Sequence, residues 1–294
     1  MAESVVGGAG ANGSMAPAPL VTVAVCQLGP VLGQVAVNLR KVEVAVRDAA
    51  EAGARVVVLP ELVTTGYVFE SVGQARGLAE RLDGPSLRVI TTLAAAHDMV
   101  IVGGFAELAE DDEMYNSAFL IDRSGVAAVY RKAHLWADES RWFIPGRQSP
   151  PVVQTDRGRI GILICYDLEF PEWTRIAALC GADLLCVPTN WPASSVPYGE
   201  RPIEVVRAQA TASVDRVFVA VCDRVDQERG TNWVGGSAII GPDGYPLALA
   251  EVGGGPQTLL ARCELSQARD KSTSAVNNVL ADRRPELYGR ITIA

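Results

Sequence analysis

Short apolar runs alternate with segments of helical periodicity along most of the chain. The runs are rich in β-branched residues and too short for typical helices, so they predict buried strands. They lie at residues 21–28, 55–61, 99–108, 158–167, 183–191 and 217–223. Between them, apolar residues recur at three- and four-residue spacing, which predicts amphipathic helices. The helical segments lie at residues 39–50, 86–98, 171–180 and 203–214.

Two further pairs of apolar runs are joined by short turns and predict hairpins. Residues 116–122 and 126–132 flank a turn at 123–125, and residues 237–250 turn at 242–244. A last strand is predicted at residues 257–265. Strands that alternate with helices predict an α/β fold, and the hairpins imply that its sheets are mixed and not purely parallel.

The domain organisation follows from where the composition changes. Residues 1–19 consist largely of Gly, Ala, Ser and Pro and are predicted to be a disordered tail. They lack the basic and apolar regions of a secretory signal. No stretch of linker composition divides the remainder, so residues 20–294 are predicted to form one domain. The more polar segment from Lys271 is expected to pack on the surface or on a partner subunit.

Composition and charge restrict the possible partners. The chain of 294 residues has a net charge of −8, whereas binding to nucleic acid or to an anionic membrane requires a basic face. No apolar run is long enough to span a bilayer. The six cysteines form no CxxC pair and there are only two histidines, so no metal is expected. We therefore expect a small-molecule substrate and a reducing, cytoplasmic compartment.

Three side chains that could take part in catalysis each follow the C-terminal end of a predicted strand. Glu61 follows RVVVLP, Lys132 follows VAAVYR and Cys165 follows GRIGILI. Ligands of open α/β sheets bind at the carboxyl ends of the strands, so an acid, a cation and a nucleophile are expected to converge there. Taken singly, Glu61 is more often a solvated carboxylate, Lys132 a surface residue and Cys165 a core residue. The catalytic interpretation therefore depends on the presence of all three.

Other nucleophilic arrangements are weaker. His134 lies two residues after Lys132 and is the partner that a Cys–His pair would need. His97 lies at the end of a predicted helix and is expected at the surface. A serine hydrolase of the α/β class would carry a GxSxG motif, which the sequence lacks.

Longer strings around the three residues resemble those of a known family. RVVVLPELVTTGY resembles the glutamate motif of the nitrilase superfamily of carbon–nitrogen hydrolases. YRKAHLWADESRWFIPG resembles its lysine motif, and GRIGILICYDLEFPEWTR resembles its cysteine motif. MYNSAFLID, VPTNWP and GGSAIIGPDG also match in order and spacing, and the resemblance covers residues 21–288.

The resemblance implies a four-layer α-β-β-α sandwich with mixed sheets, assembled as a homodimer and needing no cofactor. It implies a catalytic triad of Glu61, Lys132 and Cys165, with Glu139 positioning the substrate or water. Lys132 would favour the thiolate of Cys165, and Glu61 would carry protons from a raised pKa. The thiolate would attack an amide carbon, and Lys132 with the backbone N–H of Tyr166 would stabilise the oxyanion. A non-catalytic scaffold is disfavoured because all three residues are present.

Resemblance to individual branches of the superfamily narrows the expected class of substrate. CYDLEFPE is similar to amidases that act on aliphatic and ω-amino amides such as 5-aminopentanamide. An N-carbamoyl amine or amino acid and a nitrile remain alternatives. Residues 193–201 are a candidate specificity loop. The candidate substrate-binding residues are Tyr67, Tyr166, Asn190 and Trp191, and the aromatic residues proposed to wall the pocket are Tyr67, Trp136, Trp142, Trp191 and Tyr198.

Overall fold

The computed structural model describes residues 20–293, so the predicted disorder of residues 1–19 lies outside the described residues. The strands of the described part are β1 (Val21–Gln27), β2 (Val56–Val58), β3 (Val100–Leu108), β4 (Met114–Asp122), β5 (Gly125–Arg131), β6 (Val152–Thr155), β7 (Gly158–Ile162), β8 (Leu184–Pro188), β9 (Phe218–Cys222), β10 (Gln227–Glu228), β11 (Thr231–Asn232), β12 (Ala238–Ile240), β13 (Pro246–Leu249) and β14 (Gln257–Cys263). The helices are α1 (Val35–Glu51), α2 (Val72–Leu78), α3 (Pro85–His97), α4 (Pro171–Leu179) and α5 (Ile203–Asp215). Each predicted strand and helix is present, but the strands predicted at 55–61, 158–167 and 183–191 end earlier, at Val58, Ile162 and Pro188. Residues 165–167 belong to a 3₁₀ turn and not to a strand. Helix α2, strand β6 and the β10–β11 hairpin were not predicted.

Two six-stranded sheets organise the chain. The first has the order β14-β1-β2-β3-β4-β5 and the second the order β13-β12-β9-β8-β7-β6. In each sheet the central strands are parallel and the outer pairings are antiparallel. The prediction of mixed sheets is therefore confirmed.

The sheets stack between two layers of helices. Strand residues alternate between faces, so Val23 and Val25 point toward the second sheet while Ala24 points toward α1 and α3. Helices α4 and α5 cover the outer face of the second sheet through small side chains such as Ala177 and Ala208. The predicted four-layer α-β-β-α sandwich is confirmed.

The face of helix α5 that packs on the core is not the face that carries most of its large apolar residues. Small side chains, Ala208 and Ala212 among them, lie buried against the sheet, as does Val205. Close helix-to-sheet packing explains this choice, since alanine allows a shorter approach. The residues whose spacing predicted the helix are exposed: Ile203, Val206, Ala210 and Val214.

The strand directions bring the candidate residues to one edge. β5 is antiparallel to β4, which is antiparallel to β3, so β5 and β2 end at the same edge of the first sheet. Glu61 follows β2 and Lys132 follows β5 directly. Gly104 in β3 permits the close approach of the Glu61 backbone, because a Cβ there would lie 2.7 Å from the Cα of Glu61. A larger residue at position 104 would therefore displace the backbone that carries Glu61.

Candidate active site

A buried lysine lies between two buried carboxylates. Lys132 Nζ donates hydrogen bonds to Glu61 Oε1 and Glu139 Oε1, each at 2.7 Å. All three side chains are at most 3% exposed. Asn116 Nδ2 donates a further hydrogen bond of 2.7 Å to Glu61 Oε1. Within the described residues Glu61 Oε2 has no hydrogen-bond partner, so one oxygen of this carboxylate is available for proton transfer.

Glu139 is held from two sides. Tyr67 Oη donates a hydrogen bond of 2.6 Å to Glu139 Oε1, and the backbone N–H of Trp136 donates one of 3.1 Å to Oε2. The backbone N–H of Tyr67 is held in turn by Glu228 Oε1 at 2.8 Å. Tyr67, predicted to bind substrate, therefore also fixes the carboxylate that faces Lys132.

Cys165 begins a 3₁₀ turn directly beyond the second sheet. The turn spans Cys165–Glu169, and Cys165 has φ of +46°. A non-glycine residue in this left-handed region costs of order 1–3 kcal/mol and commonly marks a functional position. Asp167 holds the turn, because its Oδ2 accepts hydrogen bonds from the backbone N–H of Ile164 at 3.0 Å and from Tyr130 Oη at 2.8 Å.

Asn190 joins the cysteine to the glutamate. Its backbone oxygen accepts the Cys165 Sγ–H at 3.9 Å, and its Nδ2 donates a hydrogen bond of 3.0 Å to the backbone oxygen of Glu61. Cys165 also interacts electrostatically with Glu61 and Lys132. The predicted convergence of the three candidate catalytic residues is therefore seen in the structure.

Burial dominates the protonation of the site. It raises the pKa of Glu61 to about 7, although Lys132 acts in the opposite direction. Burial lowers the pKa of Lys132, but the charges of Glu139 and Glu61 outweigh it and hold that pKa well above its ordinary value. Lys132 is therefore a permanent cation, and Glu61 exchanges a proton near neutral pH.

The cysteine is a thiol in the resting site. Burial raises the pKa of Cys165 well above its ordinary value, the negative charge of Glu61 raises it further, and Lys132 only partly opposes them. Lys132 does act in the direction expected from the sequence, toward the thiolate, but burial and the charge of Glu61 outweigh it. A base must remove the thiol proton as the reaction begins.

His134 is engaged elsewhere. Its Nδ1 lies 2.7 Å from Asp167 Oδ1, and its ring stacks on Phe170 with 3.7 Å between the ring centroids. In the described part of the chain, the hydrogen bond of the Cys165 thiol is with Asn190 and not with this histidine. The contacts thus favour the Glu–Lys–Cys arrangement over a Cys–His pair.

An aromatic cavity of about 260 Å³ adjoins Glu139. Tyr67 and Trp233 meet edge to face in its wall, with 5.5 Å between ring centroids. Its other aromatic lining residues are Phe69, Trp136, Trp142 and Phe143. Trp233 was not among the predicted pocket residues. The sequence shows it only as an aromatic residue next to the short β10–β11 hairpin.

The remaining predicted pocket residues have other surroundings. Trp191 is buried beside Asn190, and Tyr166 packs edge-on against Trp136 with ring centroids 4.9 Å apart. Tyr198 and the whole candidate specificity loop at 193–201 are exposed to solvent. Of the predicted aromatic wall, Tyr67, Trp136 and Trp142 therefore line the cavity, while Trp191 and Tyr198 do not.

The fold and these contacts define a class of enzyme. Residues 22–271 match the family model described as carbon–nitrogen hydrolase, so the chain belongs to this family. It is a hydrolase of non-peptide carbon–nitrogen bonds of the nitrilase superfamily, with an active-site cysteine. Residues 20–293 hold no group of three His, Cys, Asp or Glu side chains placed to bind a metal ion, and none of their helices has the length and apolar character needed to cross a bilayer.

Several relatives of the chain are named as amidases or nitrilases. The chain is 33% identical to a nitrilase of Pyrococcus abyssi, over 92% of this chain and all of the relative. It is 33% identical to an (R)-stereoselective amidase of Pseudomonas sp., over 88% and 90%. The structure of an amidase from Nesterenkonia sp. superposes with a TM-score of 0.77 at 26% identity, covering 94% of this chain and 98% of that one. A variant of that amidase carries the acetamide moiety of fluoroacetamide on its active-site cysteine.

Proposed function

We propose that this protein hydrolyses a small primary carboxamide to a carboxylate and ammonia through a thioester on Cys165. The observation that carries the proposal is a buried carboxylate, Glu61, with one unpartnered oxygen and a pKa of about 7, next to a buried lysine and a buried thiol. Acid–base catalysis is most effective when the pKa lies near the working pH. We assign the catalytic roles to Glu61, Lys132, Cys165 and Glu139.

The proposed reaction uses Glu61 twice. Glu61 first takes the Sγ proton of Cys165, and the sulfur then attacks the amide carbon. Lys132 Nζ and the backbone N–H of Tyr166 stabilise the resulting oxyanion, one such donor being worth about 3–4 kcal/mol. Glu61 returns its proton to the departing ammonia, which leaves a thioester. It then removes a proton from water, and the hydroxide attacks the thioester carbon. The carbon–sulfur bond breaks, Glu61 returns the proton to the sulfur and so restores the thiol, and the acid product loses its own proton to solvent to become the carboxylate.

Glu139 is proposed to act through position and charge. It anchors Lys132 at 2.7 Å and also lines the aromatic cavity, so it lies between the oxyanion donor and the incoming substrate. We propose that Asn190, whose Oδ1 has no hydrogen-bond partner among the described residues, and Tyr166 contact the amide. Tyr67 would contact the acyl chain from the cavity wall, and Trp191 would support Asn190 from behind.

The cavity favours neutral or amine-bearing acyl groups. Its lining residues in the described part of the chain include Asp138 and Glu139 but no lysine or arginine. A carboxylate-bearing substrate requires a cationic partner, whereas aromatic walls attract an ammonium group. Variants of the Nesterenkonia amidase were solved in complex with acrylamide and with butyramide, which supports a small amide as substrate. We therefore favour short aliphatic and ω-amino amides, such as 5-aminopentanamide, over N-carbamoyl amino acids and nitriles.

Ammonia release from a substrate panel tests this proposal. We expect turnover of short and ω-amino amides, and at least about tenfold lower kcat/KM for matched amides that carry a carboxylate at the far end. Cys165→Ala is the inactive control, and Cys180→Ala, which removes the exposed cysteine, is the matched active one. Preferential turnover of N-carbamoyl compounds or nitriles would assign the protein to those branches of the superfamily and refute the proposal that its substrate is a primary amide.

We further propose a homodimer that buries the outer faces of α4 and α5. Leu179, Val206 and Val214 on these helices are 40–51% exposed and continue into an apolar groove with the C-terminal segment. Contiguous exposed apolar surface of this kind commonly marks an interface. Sedimentation equilibrium should give twice the chain mass for the wild type and the single-chain mass for Val214→Lys. Val44→Lys on α1 is the matched control and should keep the dimer, and a wild-type monomer would refute the proposal.

Two further assignments are proposals as well. All six cysteines are free, which supports a reducing compartment, and we propose the cytoplasm. We propose that residues 20–294 form one domain, because side chains of both sheets share one continuous core across residues 21–268.

A further inference from the structure

Asp223 is a buried carboxylate whose hydrogen-bond donors are all neutral. It directly follows β9 and is completely buried. Its Oδ1 accepts hydrogen bonds from the backbone N–H of Trp191 at 2.9 Å, from that of Arg224 at 2.9 Å and from Thr189 Oγ1 at 3.3 Å. Its Oδ2 accepts one from the backbone N–H of Gly236 at 3.0 Å. The proposed mechanism gives this group no role.

The neighbouring cation does not pair with Asp223. The guanidinium of Arg224 points away and donates to Glu228 Oε2 at 3.0 Å and to the backbone oxygen of Pro30 at 2.8 Å. Burial raises the pKa of Asp223 to about 6, although its backbone N–H donors act in the opposite direction. A carboxylate held in this way is costly to bury. The four donors around Asp223 need acceptors on both atoms at the end of the side chain. A carboxylate provides these, because both of its oxygens accept and neither donates.

Two of the four residues that donate to Asp223, Thr189 and Trp191, lie on either side of Asn190. The parallel pairing of β8 with β9 ends at Pro188 and Cys222, and one more backbone bond, from Thr189 N–H to Cys222 O at 2.9 Å, continues it. Beyond this point the chain leaves the sheet. Asp223 is the side chain that ties this departing segment to the end of β9.

Asn190 thereby receives a fixed orientation. Its backbone oxygen faces the Cys165 thiol and its Nδ2 holds the backbone of Glu61. Because Thr189 and Trp191 are both anchored to Asp223, rotation of the peptide groups on either side of Asn190 would break one of those hydrogen bonds. The relative placement of the nucleophile and the base depends on this segment.

We propose that Asp223 is a positioning residue for hydrolysis, which acts through Asn190 to align the Cys165 thiol with Glu61. The inference rests on the proposed function, in that it takes Cys165 as the nucleophile and Glu61 as the base. Asp223 touches neither of them and is too deeply buried to meet the substrate.

A double-mutant cycle tests this role in a Cys180→Ala background, where Cys180, the one exposed cysteine, cannot react. The variants are Asp223→Asn, Asn190→Ala and the double variant. The measurements are the rate of Cys165 alkylation by iodoacetamide, and kcat and KM for the best amide.

Asp223→Asn places an NH₂ group against a backbone N–H. We expect a loss of roughly tenfold or more in the alkylation rate and in kcat, with KM within about threefold. The loss caused by Asp223→Asn should be smaller in the Asn190→Ala background than in the parent, because Asn190→Ala removes the Nδ2 bond to Glu61 but keeps the backbone oxygen that faces the thiol.

Asp183→Asn is the matched control. Asp183 is another fully buried aspartate, but it precedes β8 at the opposite edge of the sheet and is paired with Arg159 and Arg269. We expect this variant to lower the melting temperature while leaving the alkylation rate within about twofold of the parent. An equal loss in alkylation for Asp183→Asn and Asp223→Asn would show a general effect of stability and overturn the proposal.

A milder pair covers the case in which Asp223→Asn fails to fold. Thr189→Val removes one donor to Asp223 at constant volume, and Thr189→Ser restores the hydroxyl. We expect Thr189→Val to slow alkylation about threefold and Thr189→Ser to recover the parent rate. If Asp223→Asn folds, a parent alkylation rate in this variant or fully additive losses in the cycle would overturn the inference. If it does not fold, a parent rate in Thr189→Val would overturn it. If the parent is alkylated but releases ammonia from no amide, the proposed function fails while the alkylation data still decide the role of Asp223.

Discussion

Replacing Cys165 by alanine or serine is expected to reduce amide turnover by at least about 10⁴-fold while the protein remains folded. The thiol is the buried nucleophile that Glu61 deprotonates, and alanine provides no atom to form the acyl intermediate. A serine hydroxyl has a much higher pKa than a thiol, so a base with a pKa of about 7 is too weak to activate it. The measurement is the rate of ammonia release at saturating amide concentration.

The folded state should tolerate both changes. Removing one sulfur atom leaves only a small cavity, which costs about 1 kcal/mol and shifts the melting temperature by a few degrees. Mass spectrometry of the parent with substrate, quenched in acid, should show an acyl adduct on Cys165 that the variants lack. Turnover within about a hundredfold of the parent in Cys165→Ala would disprove the thioester mechanism, whichever amide is used.

The second large effect is expected at Glu61. Glu61→Gln keeps the size of the side chain and an oxygen for Lys132 and Asn116, but it cannot carry a proton. Because Glu61 transfers protons in both half-reactions, we expect kcat to fall by about 10³–10⁴-fold with little change in KM. Glu80→Gln alters a carboxylate that binds Ser86 and lies outside the site, and it should behave as the parent does.

The pH profile gives an independent test of the same residue. The free enzyme must have Glu61 ionised to accept the thiol proton. Burial raises the pKa of Glu61 to about 7, so the ionised fraction falls as the pH drops through that value. We expect kcat/KM of the parent to fall about tenfold per pH unit below about pH 7. The residual activity of Glu61→Gln should lack this inflection, and its persistence there would assign the titration to another group.

The sequence predicted most of the framework, because burial imposes periodicity on strands and helices. It also placed Glu61 and Lys132 together, since both follow strands that end at one sheet edge. It did not reveal the bond between Tyr67 and Glu139, which joins side chains 72 residues apart. For Asn116, the sequence indicates a strand and a string that resembles the family but no contact with the site, although its amide donates a hydrogen bond to Glu61.

Other features depend on quantities that a single sequence does not contain. The pKa of Cys165 is raised mainly by its depth of burial, and the sequence alone does not show how far burial outweighs the neighbouring lysine. The β10–β11 hairpin has strands of two residues each, which is below the length at which alternation can be recognised. The cavity wall near Trp233 is assembled from segments distant in the chain, so its composition became visible only in the fold.

The two sheets contribute unequal parts of the chemistry. The first supplies the proton carrier and the cation, Glu61 and Lys132, while the second supplies the sulfur of Cys165. Neither sheet alone contains a reactive pair, so a nascent or partly unfolded chain has only an ordinary cysteine. The complete site therefore exists only when the two sheets are docked on each other, and catalytic competence requires the intact sandwich.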